Sequence, residues 1–438
     1  MALAKISGEN RRIKSILFLV FCALAGIFPH MLEPSKNLFP SITLAVILGG
    51  YGLSVVLRDR RENYQLQKKH LITDENFYDT LPKVDVLVAA RDEENVIERL
   101  VERLLSIEYP EDKLSIWIID DGSKDRTPYL LQKLRKSFSK INVLSRSLMS
   151  GGGKSGALNS VLNKTDGEWL FILDADAQLQ SNILLRAITL ALQGGWSGVQ
   201  LRKSVVNCEL NQLALYQAME MAMDAVIQRG RLVSGGVSEL RGNGQLINRK
   251  VLESCGGFNE QTITDDLDLS FRFLLTRSPI VIMWDPPIQE EAVGSLSALF
   301  RQRKRWAEGG LQRFFDYFPL LLSKRLSNFK KIDLTCFFLL QYVLPVVSFI
   351  DFIISIILFE MPLYWPLSII AFGISSLAFW KGCSQKSEGP TLPSPNLINI
   401  LGATIYLAHW FIVIPYIVIK MSLFRKTLKW EKTDHIGS

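Results

Sequence analysis

Apolar residues are concentrated at the two ends of the chain, and shorter apolar runs alternate with polar ones between them. Near the start, residues 16–32 and 39–57 are apolar stretches of nearly membrane-spanning length, separated by a short polar segment with a proline. This pattern predicts a membrane hairpin within residues 1–60. Basic residues precede the first stretch as in a signal peptide, but no small-residue cleavage site follows it.

The carboxy-terminal third repeats the apolar pattern at residues 334–359, 363–380 and 397–423, within a predicted membrane region 333–424. Basic residues such as Arg58, Lys68, Lys69 and Lys324 flank the middle of the chain, which places that part in the cytoplasm by the positive-inside rule. Three full carboxy-terminal spans would carry the basic tail 425–438 to the other side. We therefore predict that one stretch, the proline-containing 363–380, is interfacial or re-entrant.

The middle of the chain alternates between strand-like and helix-like patterns. Apolar runs at 84–90, 114–119 and 169–173 predict strands, and apolar residues at helical spacing over 94–105 and 127–138 predict helices. This alternation predicts an α/β fold with a parallel sheet. Ligands of such sheets bind at the carboxyl ends of the strands, where Asp120 and Asp174 follow two of the predicted strands.

Length and composition narrow the possible partners. The 438 residues allow one catalytic domain of roughly 250 residues with membrane segments around it. Five cysteines without paired spacing and four separated histidines predict neither a disulfide framework nor a zinc site. The net charge of +7 is not accompanied by an RNA-binding stripe, so we predict no nucleic-acid partner. Anionic lipid headgroups and a nucleotide diphosphate account for the charge more simply.

Two acidic motifs follow predicted strands. Asp120-Asp121-Gly122 has the form of a tight turn, and its alternative interpretation is a solvated Asp-Gly turn. Asp174-Ala175-Asp176 places two carboxylates two residues apart, which suits one hard divalent cation, Mg²⁺ or Mn²⁺, that also contacts a diphosphate.

A glycine-rich segment at 150–159 contains Gly153-Lys154-Ser155 and is similar to a Walker A loop. That motif requires a glycine where this chain has Leu148, so the sequence disfavours an ATPase. A flexible glycine linker is the other alternative.

The order of Asp120-Asp121, Asp174-Ala175-Asp176, Thr264-Asp265-Asp266 and Gln302-Arg303-Lys304-Arg305-Trp306 resembles the membrane-bound family 2 glycosyltransferases with a GT-A fold. This resemblance implies a GT-A nucleotide-sugar-binding domain at 80–290 and an amphipathic interfacial segment at 291–325. The tail Trp430-Glu431-Lys432-Thr433-Asp434-His435 resembles the ending of several members and implies a contact with the active site.

The resemblance also implies roles for individual residues. Asp266 stands where the family has its catalytic base, and a single base implies inversion at the anomeric carbon. Asp174 and Asp176 are implied as metal ligands. The residues implied to bind the UDP-sugar are Ala90, Arg91, Glu93, Asp120, Asp121, Lys154, Asp174, Gln302, Arg305 and Trp306.

The run from Gln302 to Tyr317 resembles bacterial, especially cyanobacterial, members that add glucose to diacylglycerol. It implies a hexosyltransferase of a bacterial plasma or thylakoid-type membrane that makes a β-glycosyldiacylglycerol. We expect Phe314 and Phe315 to form the lipid entrance near Trp306. The alternatives are a processive synthase of a β-linked polysaccharide, such as poly-N-acetylglucosamine, and a catalytically inactive scaffold that only binds UDP.

Overall fold

The computed structural model describes residues 10–59 and 77–424. The basic positions Lys68 and Lys69 and the tail 425–438, including the predicted active-site contact of that tail, lie outside the described residues.

A seven-stranded mixed sheet forms the core of the middle of the chain. Its strands are β1 (Val84–Ala90), β2 (Leu114–Asp120), β3 (Ile141–Ser145), β4 (Trp169–Leu173), β5 (Gly198–Val205), β6 (Gln245–Asn248) and β7 (Ile280–Glu290), in the order β3-β2-β1-β4-β6-β5-β7. The predicted strands are present, and β4 is buried along its whole length, as its continuous apolar run requires.

One strand departs from the predicted parallel arrangement. β6 runs antiparallel to both of its neighbours, β4 and β5, whereas the β1–β2, β1–β4, β2–β3 and β5–β7 pairs are parallel. The turn before β6 contains Gly242 and Gly244 with positive φ angles of 89° and 75°. Glycine adopts this conformation without strain, so the chain reverses here and inserts a short strand between two longer ones.

The helices in chain order are α1 (Arg11–Ile27), α2 (Phe39–Arg58), α3 (Phe77–Thr80), α4 (Ile97–Leu105), α5 (Thr127–Ser137), α6 (Gly153–Leu162), α7 (Ile183–Gly194), α8 (Gln212–Val233), α9 (Arg249–Ser254), α10 (Asp265–Leu275), α11 (Leu296–Leu321), α12 (Asn328–Phe338), α13 (Leu344–Leu358), α14 (Trp365–Cys383), α15 (Leu397–Tyr406) and α16 (Trp410–Leu423). A π-helical turn at Leu339–Val343 joins α12 to α13.

Helix α4 begins at Ile97 rather than at the predicted residue 94. The backbone N–H groups of Glu93 and Glu94 instead donate to Thr127 Oγ1 at 2.8 Å and to Asp125 Oδ2 at 3.1 Å. These bonds hold the segment after β1 against the loop after β2, so the two strand ends are fixed to each other.

Five helical segments in the described residues are long and apolar enough to cross a membrane, two before the sheet and three after it. We call their ends near the sheet proximal and the opposite ends distal. At the proximal side, Arg11 pairs with Asp316 of α11, and Lys381 Nζ donates to Asp59 O at 2.5 Å. At the distal side, His30 Nε2 lies 2.8 Å from Asp351 Oδ1, and Tyr364 donates to Ala25 O at 3.0 Å.

The last apolar segment, α15 and α16, returns to the side from which it starts. Leu392, just before it, packs beside Trp284 in the sheet domain, and Thr404 contacts Ser376 of α14 at 2.7 Å. After the reversal at Leu407–His409, Ser422 contacts Ser15 at the proximal end of α1 at 3.0 Å. The reversing segment is therefore 397–423, whereas the predicted 363–380 corresponds to α14, which connects the distal and proximal ends.

Candidate active site

A cavity of about 670 Å³ lies at the carboxyl ends of the parallel strands and continues between the apolar helices. Its walls bring together all the predicted site residues except Asp120: Ala90, Arg91, Glu93, Asp121, Lys154, Asp174, Asp176, Asp266, Gln302, Arg305 and Trp306. These residues come from segments more than two hundred positions apart, which the sheet and helix α11 hold side by side.

Strand register places the first acidic motifs at one edge of the sheet. Ala90 of β1 is paired with Asp120 of β2, and Val88 is paired with Leu173, the residue before Asp174. The backbone N–H of Asp121 donates to Ala90 O at 2.9 Å. The two acidic motifs therefore face the same space from neighbouring strand ends.

Asp120 and Asp121 have different environments. The buried carboxylate of Asp120 accepts the backbone N–H of Ser123 at 3.0 Å and shapes the turn without reaching the cavity. Asp121 faces the cavity and is paired with Arg146, a residue that the sequence analysis did not single out. Burial raises the pKa of Asp121, and the nearby charges of Arg146 and Arg91 oppose that rise.

The turn that follows Asp121 requires a glycine at position 122, where the chain packs against the segment before the glycine-rich run. The φ of Gly122 is +70°, and a Cβ there would lie 2.7 Å from the backbone Cα of Leu148. Any other residue would have to displace this backbone, so Leu148 occupies a packed turn position rather than a place in a phosphate-binding Walker loop.

Lys154 projects from the start of α6 toward the second acidic motif. Its Nζ lies 2.5 Å from Asp174 Oδ1. Burial alone would lower the pKa of Lys154, but the carboxylates of Asp174, Asp265 and Asp266 outweigh it and raise the pKa. Lys154 is therefore a fixed positive charge between the two acidic motifs.

Asp176 is buried at the cavity wall, and Asp174 is held by its backbone N–H, which donates to Asn243 Oδ1 at 3.1 Å. Asn243 belongs to the glycine turn before β6, so the antiparallel strand fixes the position of the Asp174 motif. Among the described residues, no group of three or more His, Cys, Asp or Glu side chains forms a metal site. The residues available to a cation here are two carboxylates.

Asp265 and Asp266 begin helix α10 and both face the cavity. Burial first, and then the like charge of Asp265, raises the pKa of Asp266 to about 6, against the opposing charges of Lys154 and Lys203. A Cβ at Gly242 would lie 3.6 Å from Asp266 Oδ2. By contrast, Asp268 is buried away from the cavity and accepts hydrogen bonds from Asn259 and Tyr317 at 3.0 and 2.8 Å.

Lys203 is a second cation that the sequence analysis did not single out. It lies in β5, where its Nζ is 3.0 Å from Glu290 Oε2 and 5.7 Å from the centre of the Trp306 ring. Burial opposes its charge, but Glu290 and Asp174 raise its pKa. Strand β5 also contains Gln200, Arg202 and Ser204, so no local pattern singled out Lys203.

Helix α11 carries Gln302, Arg305 and Trp306 on the face that lines the cavity. Arg303 is fully buried and is not part of the cavity lining. It pairs with Glu220 and contacts Tyr406 at 3.0 Å, and its guanidinium lies 4.0 Å from the centre of the Trp306 ring. Arg303 thus attaches the helix both to the sheet domain and to the reversing segment 397–423.

The predicted lipid entrance at Phe314 and Phe315 is wrong. Both side chains are buried and do not line the cavity; they pack against Phe271, Phe338 and Phe18 at ring-centre distances of 5.0, 4.6 and 5.7 Å. The second half of α11 is enclosed between the sheet domain and the apolar helices, because its glycines let neighbours approach closely. Removing these rings would disturb the core rather than a lipid contact.

The far part of the cavity is lined by the apolar helices. Its walls include Val55 of α2, Leu340 of the π-helical turn, Phe372 of α14 and Phe411 of α16. Polar side chains at this end include Gln341 and Ser375. One continuous space therefore joins a charged end at the sheet to a mainly apolar end among the helices.

Comparison with known proteins assigns this architecture to a family. Residues 82–309 match the model of "Glycosyltransferase like family 2". The chain is 38% identical over 435 residues to the β-monoglucosyldiacylglycerol synthase of Trichormus variabilis, covering 98% of this chain and 90% of that one. It is 26% identical over 273 residues to a poly-β-1,6-N-acetyl-D-glucosamine synthase of Staphylococcus aureus, covering 61% of this chain and 63% of that one.

The fold is shared with a solved mannosyltransferase from Pyrobaculum calidifontis, described in complex with GDP-Man and Mn²⁺. The TM-score is 0.58 at 17% sequence identity, with 87% of this chain and 98% of that one covered. The sheet is thus of the predicted GT-A type, with apolar helices on both sides of it in the sequence. The chain belongs to glycosyltransferase family 2 and is a nucleotide-sugar-dependent glycosyltransferase.

Proposed function

We propose that this enzyme transfers glucose from UDP-glucose to 1,2-diacylglycerol at a cytoplasmic membrane surface and forms a β-glucosyldiacylglycerol. The observation that supports this most directly is the single cavity that joins Asp176 and Asp266 to Phe372 and Phe411. A water-soluble donor and a lipid acceptor need a site with one polar and one apolar end, and this cavity has both.

The donor occupies the polar end in this proposal. Asp121 and Arg91 lie where the β1 and β2 strands end and receive the uridine, while Lys154, Gln302 and Arg305 line the region available to the diphosphate. Charged donors such as the arginine guanidinium form strong hydrogen bonds to phosphate oxygens. Trp306 faces Lys203 and forms a wall between the sugar and the acceptor.

Asp174 and Asp176 would hold Mg²⁺ or Mn²⁺. Mg²⁺ commonly binds through one or two carboxylates together with substrate phosphates and water, so two carboxylates at this edge are sufficient. When bound, the ion would stabilise the negative charge of the departing UDP.

Asp266 acts as the base in this proposal. Its carboxylate takes the proton of the acceptor hydroxyl as that oxygen bonds to the anomeric carbon and the bond to UDP breaks. A pKa of about 6 leaves Asp266 mostly ionised at neutral pH and more basic than an ordinary aspartate. With one base and no carboxylate acting as nucleophile, an α-linked donor gives a β-linked product.

The apolar lining supports a lipid acceptor over a growing polysaccharide. A sugar polymer carries hydroxyl groups that require hydrogen-bonding partners along its path. The helices offer residues such as Val55, Ile227, Leu340 and Phe372 at this end. These side chains match a hydrocarbon surface better than a polysaccharide.

The test is to incubate purified enzyme with labelled UDP-glucose and dioleoylglycerol and to identify the product by mass spectrometry. We expect one hexose on diacylglycerol in the β configuration, with activity lost in EDTA and restored by Mg²⁺ or Mn²⁺. Asp266→Asn should keep UDP binding and lose transfer, because an amide cannot accept the proton. A long lipid-free polymer would contradict the proposal.

A further inference from the structure

Gln341 is a polar residue at the apolar end of the cavity that the proposed reaction leaves unused. Gln341 lies in the π-helical turn Leu339–Val343 and lines the cavity. Its side-chain oxygen is buried without a hydrogen-bond partner, and no hydrogen bond of its amide is found within the described residues. A buried amide without partners costs free energy of folding, so this amide is available for a hydrogen bond with a ligand.

The π-helical turn explains why Gln341 faces this space. One extra residue in the turn shifts the side chains that follow it relative to the helix before it, and such turns occur frequently at functional sites. The adjacent Leu340 and Tyr342 also line the cavity. Three consecutive residues of this turn therefore face one ligand space.

A pair of glycines in α11 connects this turn to the catalytic helix. A Cβ at Gly309 would lie 2.2 Å from Thr264 Oγ1, immediately before Asp265 and Asp266. A Cβ at Gly310 would lie 1.9 Å from Tyr342 Oη, next to Gln341 in sequence. Only glycines allow both approaches, so Asp266 and Gln341 line the same cavity from elements that α11 holds together.

We propose that Gln341 donates a hydrogen bond from its amide to an ester carbonyl of the diacylglycerol acceptor and thereby selects ester lipids and orients the glycerol hydroxyl toward Asp266. This inference rests on the proposed function. An ester carbonyl accepts hydrogen bonds and the glutamine amide nitrogen donates two. A half-turn of the amide group exchanges its oxygen and nitrogen, so either end can be presented to the ligand.

The size of the cavity agrees with this placement. Pockets of about 300–1,000 Å³ enclose one drug-sized ligand, and this cavity of about 670 Å³ must also take the sugar nucleotide. Gln341 lines the apolar end of this cavity, which in this proposal receives the glycerol and its ester groups.

The experiment compares dioleoylglycerol with its dialkyl ether analogue, which has the same hydroxyl and chains but no ester carbonyls. For the wild-type enzyme we expect kcat/KM to be about tenfold higher with the ester lipid, the value of one buried hydrogen bond. Gln341→Met keeps the length and apolar volume of the side chain without the amide. We expect this variant to lose the preference, because its activity with the ester falls to that with the ether, while KM for UDP-glucose is unchanged.

Ser375→Ala is the matched control. Ser375 also lines the apolar end, but its hydroxyl donates to Ala371 O of its own helix at 2.9 Å. This variant should retain the ester preference. Gln341→Leu provides a second variant if the methionine variant fails to fold, as judged by size-exclusion chromatography and melting temperature.

A Gln341→Met or Gln341→Leu enzyme that keeps the full ester preference would overturn the inference, as would a wild-type enzyme that uses both lipids equally. If the wild-type enzyme glucosylates neither lipid, the proposed function itself is wrong, and the inference falls with it. Loss of the preference in the Gln341 variants alone supports the inference.

Discussion

At the scale of single residues, the site depends on charges that compensate one another inside a partly dehydrated cavity. The carboxylates of Asp174, Asp265 and Asp266 raise the pKa of Lys154 against its burial. Glu290 first, and then Asp174 and Asp266, raise the pKa of Lys203 in the same way. The adjacent negative charge of Asp265 disfavours ionisation of Asp266 and so raises the pKa of Asp266. In the proposed mechanism, Asp265 therefore adjusts the pKa of Asp266, while Asp266 accepts the proton.

A pH profile tests this relation. Transfer requires ionised Asp266, so kcat/KM should rise with pH around a midpoint of about 6 and level off at higher pH. Asp265→Asn removes a charge that raises the pKa of Asp266, so the midpoint should move to lower pH, measured at saturating metal. Glu260→Gln, a change of another cavity-lining carboxylate, should leave the midpoint in place. A midpoint that moves to higher pH in Asp265→Asn would contradict the assignment of Asp266 as the base.

At the scale of elements, α11 and the apolar helices are tied to the sheet domain by a buried ionic network. Glu239 lies 3.1 Å from Arg313 of α11, 3.3 Å from Arg241 and 3.7 Å from Arg231, and Arg231 lies 2.8 Å from Asp333 of α12. Burial opposes ionisation of Glu239, but the three arginines outweigh it and lower its pKa to about 2. The carboxylate therefore stays charged at every pH at which the enzyme is expected to work.

Glu239→Gln should destabilise the protein strongly. The variant leaves three guanidinium groups, two of them fully buried, without their shared carboxylate, and breaking a buried ion pair costs about 3–5 kcal/mol. We expect a clear drop in the melting temperature in detergent. Asp166→Asn is the control, because it removes a carboxylate that pairs with Lys83 at 3.0 Å on the exposed surface. Equal melting temperatures for the two variants would show that the network does not hold the elements together.

At the scale of the whole molecule, the path of the chain bears on which side of the membrane each end occupies. Helices α1, α2, α12–α13 and α14 connect the proximal and distal ends, whereas both ends of 397–423 are proximal. We infer four crossings and one re-entrant segment. With this even number of crossings, the positive-inside rule predicts that the basic tail lies on the side of the catalytic domain.

Reporter fusions and cysteine labelling test this topology. Green fluorescent protein fused after Ser438 should fluoresce, since it folds only in the cytoplasm, and alkaline phosphatase at the same position should be inactive. Lys36→Cys, in the exposed loop between α1 and α2, should react in intact cells with a maleimide that does not cross the inner membrane. Ser323→Cys, on the proximal side after α11, should react only after the membrane is opened. An active phosphatase fusion would contradict the re-entrant segment.

The sequence alone determined the features that depend on local pattern. Apolar runs of strand length ending at Asp120 and Asp174 defined the carboxyl edge of the sheet, and all the site residues predicted from the ordered motifs except Asp120 line the cavity. The five apolar stretches were equally clear, because length and hydropathy are properties of a continuous segment. Such elements can be predicted from the sequence because the pattern that defines each one lies within a single continuous segment.

Only the tertiary structure decided which distant segments meet. Lys203 and Arg146 enter the site because strand order and a turn place them there, and no motif marks either residue. Phe314 and Phe315 are buried because Gly309 and Gly310 let helices pack on both sides of α11. The apolar run at 397–423 reverses where its length alone would allow a crossing. In each case the deciding energy comes from packing and charge pairing between residues far apart in the chain, which hydrophobic pattern does not encode.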